Sequence, residues 1–278
     1  KAFYWLKLAA EQGHCEAQYS LGQKYTEDKS RHKDNEQAIF WLKKAALQGH
    51  TFASNALGWT LDRGEAPNYK EAVVWYQIAA ESGMSYAQNN LGWMYRNGNG
   101  VAQDYALAFF WYKQAALQGH SYAQDNLADL YKDGEGVAQN KTLAAFWYLK
   151  SAQQGNRHAQ FQIAWDYNAG EGVDQDYKQA MYWYLKAAAQ ESVGAYVNIG
   201  YMYKHGQGVE KDYQAAFEWF TKAAECDNAT AWYNLAIMYH YGEGRPVDLR
   251  QALDLYRKAQ SSGTRDVSQK IREIEDLL

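Results

Sequence analysis

The chain has 278 residues, an apolar content of 47% and a formal net charge of −4 at neutral pH. This charge argues against nucleic acid as a partner, because phosphate binding requires a basic stripe that releases counterions. The basic cluster Lys29–Lys33 falls in a single loop and is typical of a solvated turn. Since there is no run of 18 apolar residues, the sequence predicts no membrane insertion.

Seven tryptophans recur at intervals of 34 or 36 residues, each within a stretch of the form A-x-x-W-[YLF]-x-x-[AS]-A. They are Trp5, Trp41, Trp75, Trp111, Trp147, Trp183 and Trp219. A period of this length predicts an array of small units and not a globular enzyme core. We expect one elongated domain over residues 1–278, with the tryptophans packed between helices.

In chain order, residues 1–14 are predicted to form the orphan second helix of a truncated repeat. The natural N-terminus, with any signal peptide, is therefore expected to lie upstream. Seven helix pairs are predicted to follow over residues 15–264. Their units are 15–50, 51–84, 85–120, 121–156, 157–192, 193–228 and 229–264. Residues 265–278 keep helical spacing and are predicted to form a charged capping helix.

The unit 85–120 shows the pattern within a pair. Ala87, Leu91 and Met94 share one face of a first helix, and a glycine-rich loop ends it. Asp104 is then the expected N-cap of the second helix. Small residues in Leu-Gly and Ala-Ala pairs keep one face of each helix shallow, so that neighbouring helices can approach closely. In the first full unit Asp28 replaces the loop glycine.

The motifs L-G-x-x-Y and A-x-x-W-Y-x-x-A-A resemble tetratricopeptide repeats. G-x-G-V loops at 98–101, 134–137, 170–173 and 206–209, and A-A-x-Q-G-H endings, are closer to the Sel-1-like repeats (SLR). This resemblance implies an all-α, right-handed α-solenoid (superhelix) of antiparallel helix pairs. It also implies a bacterial, non-enzymatic adaptor that assembles complexes, often with envelope components or host proteins.

In tetratricopeptide-like solenoids the first helix of each pair lines a concave groove, which by resemblance binds a protein or peptide segment. Large aromatic residues follow Leu-Gly in some units, and asparagines precede Leu in several. The predicted binding residues are Trp59, Asn90, Trp93, Asn126, Trp165, Asn198, Tyr201 and Asn234. By the same resemblance, the asparagines would hold a peptide main chain. Alternatively, the asparagines bond to a neighbouring helix and the tryptophans pack on the preceding unit.

No H-E-x-x-H, C-x-x-C or G-x-S-x-G motif occurs, so we expect no enzymatic activity, no cofactor and no metal site. His14, His50 and His120 lie at repeat turns, where helix capping explains them. Asn140 aligns with Asp104 and is likewise expected to be an N-cap. Cys15 lies about six repeats from the other cysteine, too far for a disulfide.

We therefore predict a non-enzymatic protein–protein interaction scaffold whose concave groove binds a protein or peptide segment. The alternative is a structural role through self-association at the solenoid ends or the convex face. We expect a monomer, and the alternative for this chain is an end-to-end dimer. The compartment is not assigned by the sequence, and export to the periplasm or beyond is favoured over the cytoplasm.

Overall fold

The structure is a computed structural model that describes residues 2–27, 34–64, 66–263 and 266–278. Within these ranges the chain forms helices joined by short turns, and no strand occurs. The predicted all-α class of paired helices is confirmed. Asp28 and the basic cluster Lys29–Lys33 lie outside the described residues, as do Thr264 and Arg265 at the predicted boundary of the last unit.

The helices follow one another in a regular order. They are α1 (Ala2–Glu11), α2 (Cys15–Thr26), α3 (Asn35–Leu47), α4 (Thr51–Asp62), α5 (Tyr69–Glu81), α6 (Ser85–Asn97), α7 (Tyr105–Leu117), α8 (Ser121–Asp133), α9 (Lys141–Gln153), α10 (Arg157–Ala169), α11 (Tyr177–Ala188), α12 (Val193–His205), α13 (Tyr213–Ala224), α14 (Ala229–Tyr241), α15 (Leu249–Ser261) and α16 (Ser268–Glu275). From α2 to α15, even-numbered helices are the first helices of the pairs and odd-numbered ones the second helices.

Contacts divide the chain into two compact units, Lys1–Trp147 and Tyr148–Leu278. The first unit contains α1 to α8 and the beginning of α9, and the second contains the remainder of α9 and α10 to α16. From α1 to α8 and from α10 to α16, each helix packs against the next one along the chain. Only three or four residues separate a second helix from the following first helix, so the two must run in opposite directions.

Side chains at the loop ends begin the second helices. Asp104 Oδ1 accepts hydrogen bonds from the backbone N–H groups of Ala106 and Leu107, each at 2.9 Å. Asn140 Oδ1 accepts one from Leu143 N, also at 2.9 Å. Each such cap satisfies a helix-end donor that has no intrahelical partner and contributes about 1 kcal/mol. Both predicted caps are confirmed.

Histidines perform the same task at two turns before first helices. The Nδ1 atoms of His50 and His120 accept hydrogen bonds from the backbone N–H groups of Ala53 and Ala123, at 3.1 and 3.2 Å. This arrangement requires a neutral imidazole, because a protonated ring has no acceptor nitrogen. The prediction of capping is confirmed for both, whereas His14 makes no side-chain cap bond.

The Leu-Gly pairs allow a first helix to lie directly against an aromatic ring of its second helix. A Cβ atom on Gly92 would lie 2.7 Å from Cδ1 of Tyr112, and one on Gly58 would lie 2.8 Å from the ring of Tyr76. Both rings are completely buried. The glycines therefore provide the shallow helix face that the sequence predicts.

The periodic tryptophans are buried to different extents. Trp5 is 63% exposed, so the prediction that it packs between helices is wrong. No described helix precedes α1, whereas Trp111 packs against the core of the repeat before it. The other six tryptophans are buried or half-buried. Complete burial is instead found at the residue after each of these six tryptophans, which is Leu42, Tyr76, Tyr112, Tyr148, Tyr184 or Phe220.

Buried glutamines link successive repeats. Gln88 Nε2 donates to the carbonyl oxygen of Ala80 at 3.2 Å, and Gln88 Oε1 accepts from Gln118 Nε2 at 2.8 Å. In the second unit Gln160 accepts in the same way from Gln190 Nε2, at 2.8 Å. The closing glutamine thus satisfies the buried amide oxygen of the first helix in its own repeat, and the N–H of that buried amide bonds to the previous repeat, where an unpaired amide would be costly.

Candidate protein-binding surface

Two tryptophans of the first unit are exposed at the same position of consecutive first helices. Trp59 on α4 and Trp93 on α6 are 44% and 42% exposed, and each directly follows a buried glycine. Consecutive helical residues differ in direction by about 100°. The glycine therefore contacts the ring of the second helix while the tryptophan faces solvent. The corresponding residue of α8 is the half-buried Asp129.

A second row of exposed aromatic residues lies near the beginning of the same helices. It consists of Phe52 on α4, Tyr86 on α6 and Tyr122 on α8. Each residue precedes the Trp59-type position by seven residues, which places it on the same helix face about 10.5 Å away along the axis. We call Phe52, Tyr86, Tyr122, Trp59 and Trp93, with the asparagines between them, the double-row surface.

Sequence reasoning missed this second row, although a signal for it was present. The aromatic residues occur only in the first unit, and the second unit has His158, Gly194 and Thr230 at the same position. A large ring at a position that other repeats fill with polar or small residues is not required by the repeat fold. The periodic tryptophans were the stronger pattern, but they report on packing.

Between the two rows, asparagine side chains join adjacent first helices. Asn90 Nδ2 donates to Asn55 Oδ1 at 3.2 Å, and Asn126 Nδ2 donates to Asn89 Oδ1 at 3.0 Å. The predicted binding residues Asn90 and Asn126 therefore make the inter-helix bonds that the alternative interpretation expected. Each bond uses one of the two N–H donors of the donating amide, and both side chains remain partly exposed. Their role in binding stays a prediction.

The charges around the double-row surface are largely paired. Arg96 donates to Asp129 Oδ2 at 3.3 Å and to Glu135 Oε2 at 3.1 Å, so one cation bridges two acids of the next repeat. Burial acts to lower the pKa of Arg96, but these two carboxylates raise it. Beside Trp59, the guanidinium of Arg63 lies 5.5 Å from the ring centroid. The surface is thus aromatic and amide-rich, with little free charge.

Part of the second aromatic row is held in place by the turn at the end of the repeat 85–120. The ring of Tyr86 meets that of His120 edge to face, with centroids 4.6 Å apart. The His120 ring lies 6.2 Å from that of Tyr122, so the three side chains form a continuous group. Burial lowers the pKa of His120, which favours the neutral ring that the helix cap needs.

In the second unit the predicted residues are less exposed. Trp165, Asn198 and Tyr201 are half-buried. Asn234 is buried, and its Nδ2 donates to Tyr201 Oη at 3.2 Å and to the carbonyl oxygen of Thr230 at 2.7 Å. These two bonds account for the position of the Asn234 side chain by contacts within the protein. For the other residues of this unit, a binding role stays a prediction.

Metal-binding clusters and membrane-spanning helices are absent from the part of the chain that the structure describes. There, no group of three or more histidine, cysteine, aspartate or glutamate side chains could hold a metal ion. Within the same ranges, no helix has the length and apolar character needed to cross a membrane. Both cysteines, Cys15 and Cys226, are free thiols.

Known proteins share this repeat architecture. The family model described as Sel1 repeat matches residues 1–14, 15–50, 51–84, 85–120, 121–156, 157–192, 193–228 and 229–263. Over 104 residues, the chain is 96% identical to the Sel1-repeat-containing protein YbeQ of Escherichia coli K12. This match covers 37% of the chain and 32% of YbeQ, so the chain spans about a third of that relative.

Two solved structures are similar over nearly the whole chain. The first is c5321, a protective antigen present in uropathogenic Escherichia coli strains, with 36% identity and a TM-score of 0.87. The match covers 94% of this chain and 56% of c5321. The second is a Sel1 repeat protein from Oxalobacter formigenes, with 30% identity, a TM-score of 0.76 and coverages of 98% and 80%.

These matches confirm the resemblance that the loop and ending motifs indicate, and they agree with a bacterial origin. The chain belongs to the Sel1 repeat family, whose members are generally non-catalytic scaffolds for protein interactions.

Proposed function

We propose that the double-row surface of the first unit binds an extended segment of a protein partner. The observation that carries this proposal is the alignment of the exposed Trp59 and Trp93 with a second exposed row seven residues away. Rings with one polar edge are enriched at protein interfaces, where they bury a large area at small entropic cost. The repeat fold does not require them, since the second unit folds without the second row.

The spacing of the rows matches the geometry of an extended chain. Packed helices lie about 8–10 Å apart, and an extended chain rises about 3.3 Å per residue, so roughly three residues pass each first helix. A segment that crosses α4, α6 and α8 would place its main chain over the amide row. Its successive side chains point to opposite sides. They would therefore contact the two aromatic rows in turn.

The charge of the surface specifies the chemistry of the segment. Because Arg96 is paired with Asp129 and Glu135, the centre of the surface offers rings and amides and little net charge. The preferred segment therefore carries aliphatic or aromatic side chains at successive positions and few charges. Binding should depend only weakly on salt, since screening acts on free charges.

The proposal also concerns where the partner lies. We propose that the protein is exported and that it meets its partner in the bacterial envelope or in a host. Its support is the relative c5321, a protective antigen with 36% identity to this chain. The chain covers 56% of that protein, so the role of the whole relative is carried over only as a hypothesis.

The experiment is affinity capture from bacterial envelope and host-cell extracts with the native chain and two double variants. Trp59→Ala/Trp93→Ala removes the first aromatic row. Phe40→Ala/Phe110→Ala is the matched control, because it removes two comparably exposed rings from second helices. Circular dichroism would check that both variants stay folded.

We expect the native chain and the control to capture the same partner. Capture by Trp59→Ala/Trp93→Ala should fall at least tenfold, because interface anchors that each contribute about 1–2 kcal/mol are truncated. Equal capture by all three proteins would refute the double-row surface as the binding site. A single Trp165→Ala variant then tests the second unit separately, where reduced capture would support the predicted residues of that unit.

A further inference from the structure

A titratable side chain lies within the second aromatic row of the double-row surface. The ring of His120 lies between Tyr86 and Tyr122, with its centroid 4.6 Å from the first ring and 6.2 Å from the second. The same histidine caps α8, because its Nδ1 accepts a hydrogen bond from Ala123 N at 3.2 Å. One side chain therefore joins a helix cap to two exposed rings.

Both tasks of His120 depend on its charge. An imidazolium carries N–H groups at both ring nitrogens and has no acceptor. After protonation, Nδ1 and the backbone nitrogen of Ala123 would be two donors 3.2 Å apart, so the imidazole has to rotate away from the helix end. That rotation breaks the edge-to-face contact with Tyr86 and the contact with Tyr122. The arrangement of both tyrosine rings is therefore coupled to a single proton.

Among the described residues, no charge offsets the loss of this cap. The titratable groups that meet the His120 ring are Tyr86 from α6 and Tyr122 from α8, and tyrosine is uncharged in the range where histidine titrates. Residues 117–119, at and after the end of α7, carry no charge. Burial lowers the pKa of His120, and no charged side chain of the described residues is among the causes. An added proton is thus uncompensated at this turn.

The corresponding turn of an earlier repeat is built differently. His50 also caps its helix through Nδ1, but its Nε2 lies 3.2 Å from Glu16 Oε1. Glu16 occupies the position that Tyr86 has two repeats later. A protonated His50 would lose the cap and gain an ion pair with this carboxylate. The two histidines therefore form a matched pair, in which the uncompensated one contacts the rings of the binding surface.

Other turns of the array show that folding does not require a titratable cap. Asn156 caps α10 through its side-chain oxygen, which accepts from Ala159 N at 3.1 Å. Met84 makes no side-chain cap before α6. An amide cap does not change charge with pH, and one turn manages without a side-chain cap. A histidine at position 120 therefore adds a pH dependence that the repeat fold does not need.

We propose that protonation of His120 switches the double-row surface to a non-binding arrangement, so that a partner held at neutral pH is released in acid. This inference rests on the proposed function, because it concerns regulation of the same surface. By reciprocity, a partner that requires the neutral ring opposes its protonation. Since only the neutral form binds, the apparent affinity should fall about tenfold for each pH unit below the folded-state pKa of this histidine.

The first test needs no partner. It is an NMR titration of the full chain between about pH 7.5 and about pH 5, where histidine changes charge and most carboxylates stay ionised. The ring signals of Tyr86 and Tyr122 and the amide signal of Ala123 should follow the titration of His120. His120→Asn should abolish these changes, and His50→Asn should retain them. Tyrosine signals that stay constant while His120 titrates, or a His120 ring that stays neutral throughout, would overturn the proposal.

The second test is affinity capture from bacterial envelope and host-cell extracts at about pH 7.5 and about pH 5, with each protein compared with its own capture at the higher pH. Capture by the native chain and by His50→Asn should fall about tenfold in acid, whereas capture by His120→Asn should change less than about twofold. The extracts are the same for all three proteins, so titration of the partner cancels in this comparison. Circular dichroism at both pH values would check that each protein stays folded.

The two proposals fail in different ways. Capture by the native chain that does not depend on pH, or an equal loss in acid for the native chain and His120→Asn, overturns the regulation and leaves the proposed function standing. Absence of capture at either pH, or capture that Trp59→Ala/Trp93→Ala retains in full, overturns the proposed function. The regulation of binding by His120 then falls with it, whatever the NMR titration shows.

Discussion

Two buried tyrosines at the same position of successive repeats provide a sharp test of the packing. Tyr76 and Tyr112 are both completely buried. The Tyr76 hydroxyl donates to Asp62 Oδ2 at 2.7 Å, whereas the Tyr112 hydroxyl has no hydrogen-bond partner among the described residues. Removing the hydroxyl should therefore have opposite consequences in the two repeats.

The expected magnitudes follow from the partner that each hydroxyl leaves behind. Tyr76→Phe deprives a poorly exposed carboxylate of its donor, and a hydrogen bond to a charged group contributes about 1.5–3 kcal/mol. We expect a loss of about 2 kcal/mol in the free energy of unfolding. Tyr112→Phe removes an unpaired buried hydroxyl, so we expect a change within about 0.5 kcal/mol, or a slight gain.

The loss of stability caused by Tyr76→Phe should also depend on pH in a defined direction. Burial raises the pKa of Asp62, and the hydrogen bond from Tyr76 and the charge of Arg63 lower it. A raised pKa means that this carboxyl favours folding below its ordinary pKa and costs stability as pH rises through the folded value. Tyr76→Phe raises the pKa further. Its deficit should therefore be largest at neutral pH and shrink towards about pH 4.

The assay is urea unfolding of the native chain and both variants at pH 7 and pH 4, with differences taken from the midpoints at a common slope. Because repeat arrays can unfold in stages, hydrogen exchange of α4 to α7 would show where the change acts. Equal losses in both variants, or a Tyr76→Phe deficit that does not shrink in acid, would contradict the reasoning.

Three further predictions concern a helix cap, a loop and the oligomeric state. Because burial lowers the pKa of His120, its capping contribution should be present above about pH 6.5 and lost as pH falls through the folded value. His120→Asn, which copies the cap made by Asn156, should remove that part of the pH dependence of thermal melting. Gly100→Ala would place a Cβ 2.4 Å from the Tyr69 backbone and should prevent native packing of the loop. Gly98→Ala, with 3.3 Å of space, should cost only about 1–2 kcal/mol of left-handed strain, and urea unfolding compares the two. Light scattering should find a monomer for the native chain, and a dimer would favour the self-association hypothesis.

Much of the fold could be predicted because local signals agree with one another. The tryptophan period, the loop glycines and the capping residue Asp104 each indicate the same helix boundaries, and the structure follows them. The relative burial of neighbouring side chains was harder to predict. Trp111 is half-buried and Tyr112 is completely buried, because the bare surface of Gly92 receives the tyrosine ring. That contact depends on the pairing of two helices and is not visible in either one alone.

The candidate site was predicted in part. Trp59 and Trp93 stood out because the same position is polar in two other repeats, at Gln23 and Asp129, and both tryptophans are exposed. Asn234 has the same sequence context as Asn90, but its side chain is turned into the protein by the hydroxyl of Tyr201. The second row escaped notice because Tyr86 lies next to a helix start, where capping patterns dominate the sequence signal.

The most direct measurement places a photo-crosslinking amino acid at residue 86, between the repeats of the double-row surface, and at residue 182 as a control. Tyr182 is similarly exposed but lies on the second helix α11. Cross-linking in live bacteria and in host-cell extracts, followed by mass spectrometry, would identify both the partner and the bound segment. We expect a discrete protein adduct from residue 86, formed through an extended segment with successive apolar side chains, and no adduct of that partner from residue 182. Adducts only from residue 182, or the same adducts from both positions, would contradict binding at the double-row surface.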